Sequence, residues 1–458
     1  MIKYAAATAA LLLSSCTLGP NYSRPDVDLP KEYGVAQSQV PAPERWWVIF
    51  QDPVLDRMVD EALAANADLR VAAERIEQAR AQLRIERSNL APDAGVQYTG
   101  SRSKASEMSS VPIPAEFIES SSHRLTLVAA WELDFWGKFR RATEAARAEL
   151  AASEAGRDTI RNTLIGDVTR GYFALRSLDR RLEAVEATRD TRVRSLDLQK
   201  LRLDAGVVSE LEYRQVESDL RVALALVPTV RQQRAEQEGA LAVLLGRSPR
   251  EVFEGKIDRG NPVNPVVVEV PAGLPSDLLL RRPDIRQAEE TLHAANARIG
   301  VARAALFPTI NLTGNYGGES TKLGDLFKGP ARVWSIGGDI LQPLFAAGQI
   351  KGGIELADAR TREAALTYQK TIANAFREVR AALAAQANLR EADVAQQERV
   401  RAITRTTELS KLRYDNGAVS LFEYLDAERQ LLGARLDAID AERARRSAIV
   451  DLYLALGA

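Results

Sequence analysis

Apolar side chains recur at every third or fourth position over most of this chain, which is the spacing of α-helices with one packed face. The two longest such stretches run from 138 to 204 and from 348 to 415, and neither contains a proline. A helix of the first length would extend for about 100 Å, further than a compact globular domain can accommodate. Shorter helices are predicted at 210–245 and 421–456, each directly after a long one.

Four shorter stretches have a period of two instead. Polar residues such as Arg124 and Glu132 lie among the even positions of one of them, and its odd positions are apolar. The predicted strands are 94–103, 123–135, 309–318 and 331–342. One apolar and one polar face fit the wall of a membrane barrel, with lipid on one side and water on the other. A half-buried strand of a soluble protein alternates in the same way, so each strand by itself leaves both interpretations open.

The chain contains an internal repeat. Residues 200–213 and 411–424 are identical at nine of fourteen positions, and residues 68–92 align with 284–308. Each copy reads as helix, strand, loop, strand, long helix, turn and shorter helix. The predicted divisions are a first repeat at 53–246, with helical spacing from Pro53 to Leu90, a proline-rich connector at 247–275 and a second repeat at 276–458.

The most similar segments of the two copies are the turns that follow the long helices. Gly206 and Gly417 lie where a helix ends in a left-handed residue, and Asp204 and Asp415 precede them. The next helix of each copy opens with a serine and, three residues later, a glutamate, the pattern of a capping box. These pairs are Ser209 with Glu212 and Ser420 with Glu423.

Four strands of about ten residues are long enough to cross an outer membrane at a tilt. They are too few to close a barrel, and an open sheet edge is not tolerated in lipid. If the strands span a membrane, several chains must therefore contribute to one barrel, and three chains would supply twelve strands.

Composition excludes several other functions. The 61 basic and 62 acidic residues nearly cancel, so net charge indicates no nucleic-acid-binding face. Two histidines and one cysteine leave little material for a metal site or a Cys–His nucleophile, and we interpret His123 and His293 as ordinary surface or packing residues. No phosphate-binding loop, zinc motif or serine-elbow motif is present. We therefore expect a passive protein without enzymatic activity or cofactor.

The N-terminus is typical of an exported lipoprotein. Residues 1–15 combine Lys3 with an apolar stretch too short to span a membrane, as in a signal peptide. The small residues before Cys16 match a bacterial lipobox, which predicts lipidation of Cys16; an ordinary signal peptide with a chance cysteine is the alternative. In bacterial lipoproteins an aspartate directly after the lipidated cysteine favours retention in the inner membrane. Thr17 occupies this position, so the outer membrane is the expected location. Residues 16–52 are predicted to form an extended arm that ends at Trp46 and Trp47.

Taken together, these features resemble the outer membrane factor (TolC-like) efflux channels, in the OprM/NodT-like lipoprotein branch that serves resistance–nodulation–division (RND) pumps. The segments that carry the resemblance are 16–25 (CTLGPNYSRP), 46–53 (WWVIFQDP), 281–285 (RRPDI), 306–308 (LFP) and both turns. The resemblance implies a mainly α, internally duplicated fold, with a homotrimeric twelve-stranded outer-membrane β-barrel and a long periplasmic α-helical barrel. It also implies an inner-membrane RND transporter and a periplasmic adaptor as partners.

The resemblance assigns roles to residues of the turns. It places the periplasmic aperture at Glu212, Tyr414, Glu423 and Asp426, where rings of carboxylates from three chains would favour cations. The turns would also dock the adaptor, through Asp204, Gly206, Ser209, Asp415, Gly417 and Ser420. Copy one has Leu203 at the tyrosine position, and Val419 stands where some relatives carry a basic latch residue. Glu212 and Glu423 are equally explained as helix caps.

Two other functions are weighed against small-molecule efflux. A duct for type I protein secretion has the same architecture, but the N-terminal cysteine and the arm favour efflux. A lipid-anchored periplasmic coiled-coil protein with a structural role would explain the long helices and Cys16, but not the four strands with one polar and one apolar face.

Overall fold

The computed structural model describes residues 17–30, 45–108, 114–260 and 278–457. The predicted signal peptide, Cys16 and most of the predicted connector lie outside these residues. Helices dominate the described part, and none of them combines the length and the apolar character needed to cross a membrane.

Ten α-helices are found in the described residues. They are α1 Pro53–Ala65, α2 Ala67–Ser88, α3 Ala115–Ile118, α4 Lys138–Asp204, α5 Glu210–Leu244, α6 Pro249–Glu254, α7 Leu278–Arg281, α8 Pro283–Ala304, α9 Gln349–Asp415 and α10 Leu421–Ala455. Helices α4 and α9 both contain 67 residues, and α5 and α10 both contain 35. The duplication seen in the sequence is therefore also a duplication of helix lengths.

The strands form one antiparallel sheet in the order β1-β2-β3-β4. Their bounds are β1 Asp93–Lys104, β2 Glu119–Glu132, β3 Thr309–Ser320 and β4 Arg332–Leu341. The pairing of β2 with β3 joins the two repeats in one sheet. Strands β1 and β4 are its edges.

The register of the sheet separates apolar from polar side chains. Val96 pairs with Leu127, Leu127 with Tyr316, and Tyr316 with Trp334, so these four side chains form one row across all four strands. They are 74%, 53%, 55% and 69% exposed, respectively. Side chains at alternate positions of a strand point to the opposite face, and that face carries polar pairs. These are Asn311 with Asp339 at 3.1 Å, Asn315 with Ser335 at 2.5 Å, and Arg124 with Glu319 at 3.8 Å.

Several predicted boundaries differ from the observed ones. The helical pattern over 53–90 is two helices, because Asn66 caps the second one: its side chain accepts hydrogen bonds from Asp68 N at 2.9 Å and Leu69 N at 3.1 Å. Strand β2 begins at Glu119 rather than 123 and ends at Glu132 rather than 135. It ends early because the carboxylate of Asp134 accepts from the first backbone amides of α4, Phe139 N at 3.0 Å and Arg140 N at 2.9 Å.

Two further segments are more ordered than the sequence indicated. The predicted connector contains α6, whose first turn is closed by a capping box between Ser248 and Glu251. The arm ends in a short 3-10 helix, Trp46–Phe50, and both tryptophans are almost fully buried. Large aromatic side chains bury much apolar surface, which makes this end of the arm part of a core rather than an extended tail.

The chain divides into two compact units. Unit 1 comprises residues 1–26, 75–154 and 287–369, and unit 2 comprises 27–74, 155–286 and 370–458. The four-stranded sheet lies in unit 1. Both turns and the main hydrophobic core lie in unit 2.

In unit 1 the N-terminal arm is fixed by a buried arginine. The guanidinium of Arg141, on α4, donates to Leu18 O at 3.1 Å, to Gly19 O at 3.3 Å and to the Asn21 side chain at 2.8 Å. Gly19 packs so closely on Gly300 that a Cβ added to Gly19 would lie 2.6 Å from Gly300 Cα. Because carbonyl groups of the arm accept the hydrogen bonds of the buried Arg141 guanidinium, this part of the arm is packed into unit 1.

In unit 2 the 3-10 helix and α1 are joined to α4 and α10. The ring of Trp46 stacks on Tyr453 with 5.4 Å between the centroids. The carboxylate of Asp52 caps α1 through Val54 N at 3.0 Å and also accepts from the Tyr172 hydroxyl at 2.5 Å. Burial and this hydrogen bond raise the pKa of Tyr172 above its ordinary value, so the hydroxyl remains a donor at physiological pH.

Candidate functional site at the two helical turns

Both long helices end in the same hydrogen-bonded turn. Gly206 and Gly417 each have a φ of +70°. Gly206 N donates to Leu203 O and Val207 N to Arg202 O, both at 2.9 Å, and the second turn repeats this pair of bonds from Gly417 and Ala418. This is a Schellman motif, in which a left-handed residue satisfies the last carbonyl groups of the helix. The left-handed caps predicted from the sequence are confirmed.

The first turns of the following helices differ between the copies. At α5 the box is closed: Glu212 N donates to Ser209 Oγ at 3.3 Å, and Ser209 N donates to the Glu212 carboxylate at 2.8 Å. At α10 only half is formed, since Glu423 N donates to Ser420 Oγ at 3.4 Å but the carboxylate turns elsewhere. The predicted second capping box is therefore wrong in this respect.

The carboxylate of Glu423 is bound instead by an arginine of α9. Arg413 Nη1 donates to Glu423 Oε1 at 3.2 Å, and both side chains are about half exposed. A charged guanidinium offers a stronger hydrogen bond than a neutral amide. The Glu212 carboxylate thus caps its helix, whereas the Glu423 carboxylate lies half exposed beside the Arg413 guanidinium.

Tyr414 connects the two turns within unit 2. Its hydroxyl accepts hydrogen bonds from Gln199 Nε2 at 2.8 Å and Arg202 Nη1 at 3.2 Å, both on α4. Its ring stacks on Tyr424 with 5.9 Å between centroids, and the Arg202 guanidinium lies over the ring at 6.0 Å. One tyrosine therefore holds the ends of α4, α9 and the start of α10 together.

The remaining predicted residues are arranged around this connection. Asp415 forms an ion pair with Lys411 at 2.7 Å, one turn earlier on α9. Asp426 accepts from Gln430 Nε2 at 2.6 Å on α10 and is partly exposed. Asp204 lies exposed in the first turn. Local interactions satisfy the carboxylates of Asp415 and Asp426, and none of the three is buried.

The sequence did not identify a buried charge cluster beyond the turns. Asp219 on α5 is 6% exposed, and its carboxylate accepts from Arg429 Nε of α10 at 3.0 Å. Arg192 of α4, equally buried, donates to the backbone carbonyl of Asp219 at 2.6 Å. Burial lowers the pKa of Arg192, and the charge of Asp219 opposes this shift.

A signal for this cluster exists in the sequence. Asp219 lies between Val216, Leu220 and Ala223, all of them buried on α5, so a carboxylate occupies the apolar stripe of the helix. Buried carboxylates are almost always paired. What periodicity cannot supply is the identity of the partner, which is 210 positions away in the chain.

A duplicated pair of one long and one short helix, together with one four-stranded sheet, is also found in known proteins. A family model described as "Outer membrane efflux protein" matches residues 58–247 and 274–458. The chain belongs to this family. The family resemblance found in the sequence is thereby confirmed.

Individual relatives extend the match over nearly the whole chain. The solvent efflux pump outer membrane protein SrpC of Pseudomonas putida is 36% identical over 98% of this chain and 96% of its own length. The cation efflux system protein CusC of Escherichia coli O6:H1 is 33% identical over 98% of this chain and 96% of its own. The crystal structure of the CmeC outer membrane channel of Campylobacter jejuni superimposes with a TM-score of 0.92 at 29% identity, covering 96% of this chain and 95% of that one.

The predicted fold class, efflux function and outer-membrane location are confirmed by these matches. The protein is an outer-membrane efflux channel. The roles of individual residues in the turns are not tested by the likeness and remain predictions.

Gly417→Val should destabilise the second turn by about 1–2 kcal/mol, because a side chain disfavours the left-handed region. Nothing lies within 4 Å of a Cβ added there, so the cost is that of the backbone alone. We expect amide protection over residues 411–424 to fall about tenfold in hydrogen exchange. Gly433→Val, in the interior of α10 with equally open space, is the matched control. Unchanged amide protection in Gly417→Val would show that the left-handed conformation at this position does not require glycine.

Tyr414→Phe removes the hydroxyl that accepts from Gln199 and Arg202, and should cost about 1 kcal/mol for each lost hydrogen bond. Faster exchange is expected at the ends of α4 and α9, together with a larger single-channel conductance. Tyr213→Phe is the control. Tyr213 belongs to copy one and aligns with Tyr424, so the same substitution is made near a turn without changing the Tyr414 position. Equal behaviour of the two variants would rule out a special role for the Tyr414 hydroxyl.

Proposed function

We propose that this chain is one subunit of a homotrimeric passive duct, which carries small molecules from an inner-membrane RND transporter and a periplasmic adaptor to the exterior. The observation that carries the proposal is the apolar row across the sheet. Val96, Leu127, Tyr316 and Trp334 expose large side chains on one face, and polar pairs line the other. Lipid outside and water inside are the environments that suit such a sheet.

The edges of the sheet support assembly from several chains. Strands β1 and β4 each have one paired neighbour in the described residues, and an unpaired edge is not stable in hydrocarbon. In a sheet of four antiparallel strands, β1 and β4 run in opposite directions. Strand β4 of one subunit can therefore pair with β1 of the next subunit and extend the antiparallel sheet. Three subunits would give the twelve strands implied by the family.

The arm supports a lipid anchor at Cys16. Arg141 and Gly300 hold Leu18 and Gly19 in place, so the arm is already bound to unit 1 two residues after the cysteine. A lipid on Cys16 would therefore anchor a fixed part of unit 1 to the membrane, as a second attachment besides the proposed barrel. Thr17, rather than aspartate, favours retention in the outer membrane.

The turns are suited to dock the adaptor. Several apolar side chains at and beside the turns remain exposed. They are Leu201, Val207, Leu211, Leu412 and Phe422. Exposed apolar groups close together mark protein-binding surfaces, and the rigid Schellman turns would present them in a defined geometry.

The energy for transport is proposed to come from the partner pump. In the described part of the chain, no group of His, Cys, Asp and Glu side chains is placed to hold a metal ion, and we assign the protein no catalytic step. The relatives' names point to small cargo, a solvent for SrpC and a cation for CusC. Selection of cargo is assigned to the pump.

The first experiment is the mass and conductance of the purified protein in detergent. We expect a species of three chains when the sample is not heated, and discrete cation-selective channels in a planar bilayer. Ile336→Arg, near the middle of β4 and on the same face as Trp334, should reduce the yield of inserted trimer, because an arginine at mid-membrane costs about 2–4 kcal/mol. Ser335→Arg, on the polar face, is the control. A monomer without channels would overturn the proposal.

The aperture assignment has its own test. Glu423→Gln combined with Asp426→Asn removes two carboxylates per subunit near the second turn, and should lower cation selectivity and weaken block by divalent cations. Glu408→Gln combined with Asp437→Asn removes the same charge elsewhere on α9 and α10. If both pairs of substitutions have the same effect, or if the first has none, these carboxylates do not form the selective ring.

A further inference from the structure

Unit 2 contains a cavity of about 970 Å³ that the efflux function does not use. Its walls are side chains of α4, α5 and α10 and of the segment 255–259, which follows α6. Seven of the lining residues are basic and four are acidic, an excess of three positive charges. This volume lies within the range of small-molecule sites, which is about 300–1,000 Å³.

The wall formed by residues 255–259 is fixed in place. Ile257 belongs to the main hydrophobic core of unit 2. Arg259 Nε donates to Asp179 on α4 at 3.1 Å, and its guanidinium also binds Glu238 on α5. Arg247 Nη1 donates to Lys256 O at 2.6 Å. The wall is therefore held in place without a ligand, so binding would not carry the entropic cost of ordering residues 255–259.

The acidic side chains of the wall do not pair with all of its arginines. Among the described residues, no carboxylate lies within ion-pair distance of Arg443, and the interaction found for Arg176 is with the backbone carbonyl of Gly260. Arg234 Nε is buried without a hydrogen-bond acceptor. The ion pairs of Arg234 with Asp179 and Glu238 are long, 3.9 and 3.8 Å. Buried donors without acceptors are uncommon, and a bound ion is one explanation.

The positive charges also act on one another. Burial lowers the pKa of Arg446, and the nearby charges of Arg180 and Arg176 lower it further, against the effect of Glu442. Like charges are held together here at a cost to the folded state, which an anion of the right size would remove. Arg180 and Arg446 share a single carboxylate, that of Glu442.

We propose that this cavity binds a small anion carrying two or three phosphate or carboxylate charges, held by Arg176, Arg234 and Arg443. Guanidinium groups pair with both kinds of oxyanion in planar, two-pronged geometry, so the chemistry is shared by the two sources. The ligand would join α4, α5 and α10 in unit 2 and stabilise the protein when bound.

Binding is measured by calorimetry on the trimer in detergent at low ionic strength, with pyrophosphate as the phosphate probe and citrate as the carboxylate probe. We expect saturable binding of at least one probe at one ion per subunit, a higher midpoint of thermal unfolding, and weaker binding in added salt. The tighter of the two probes identifies the oxyanion class.

Arg176→Gln combined with Arg443→Gln should weaken binding at least tenfold. Arg435→Gln, an exposed residue of α10 outside the cavity wall, should leave it within twofold. Arg443→Gln alone, at a partly exposed position, tests the site even if the double variant does not fold. Channel conductance, measured in parallel, should be unchanged, so failure of this site is distinguishable from failure of the proposed duct.

Three results would overturn the proposal. The first is the absence of saturable binding of either probe to the folded trimer. The second is equal weakening by Arg435→Gln and by the cavity substitutions, which would indicate a general charge effect. The third is a structure of the trimer in which acidic side chains of a neighbouring subunit fill the cavity.

Discussion

Backbone groups in hydrocarbon have no water to bind, so every amide and carbonyl of a membrane-spanning strand needs a partner. The sheet of unit 1 satisfies this condition only between its edges, because β1 and β4 each have a single paired neighbour in the described residues. The row from Val96 to Trp334 places apolar side chains where such a sheet would meet lipid. The joining of both repeats in one sheet and the proposed trimer both follow from this one constraint.

The duplication has produced two turns with the same backbone and different side-chain partners. Both glycines adopt the same φ and both helices end in a Schellman motif. Glu212 closes a capping box, whereas its counterpart Glu423 pairs with Arg413. Tyr414 bonds across to α4, and copy one has Leu203 at the equivalent position. The two turns therefore share a backbone conformation and differ in the contacts of their side chains.

Charge in unit 2 is distributed between two kinds of cluster. Near the turns, the buried Asp219 carboxylate pairs with Arg429, and the buried Arg192 binds the Asp219 backbone carbonyl. The cavity around Arg176 and Arg443 has an excess of positive charge and a fixed wall. The first cluster is complete within the described chain. The second borders a cavity large enough for a small molecule, and this difference is why only the second carries a ligand proposal.

The sequence by itself determined the repeat, the long helices, the four strands with their faces and the two left-handed turns, because these depend on local periodicity and on the conformational freedom of glycine. It also indicated the family, through segments spread along the whole chain. Only the tertiary structure decided that Arg413 takes the Glu423 carboxylate, and that Asp219 meets Arg429. Each of these depends on which side chain, sometimes two hundred residues away, is nearest in space, and no local pattern encodes that distance.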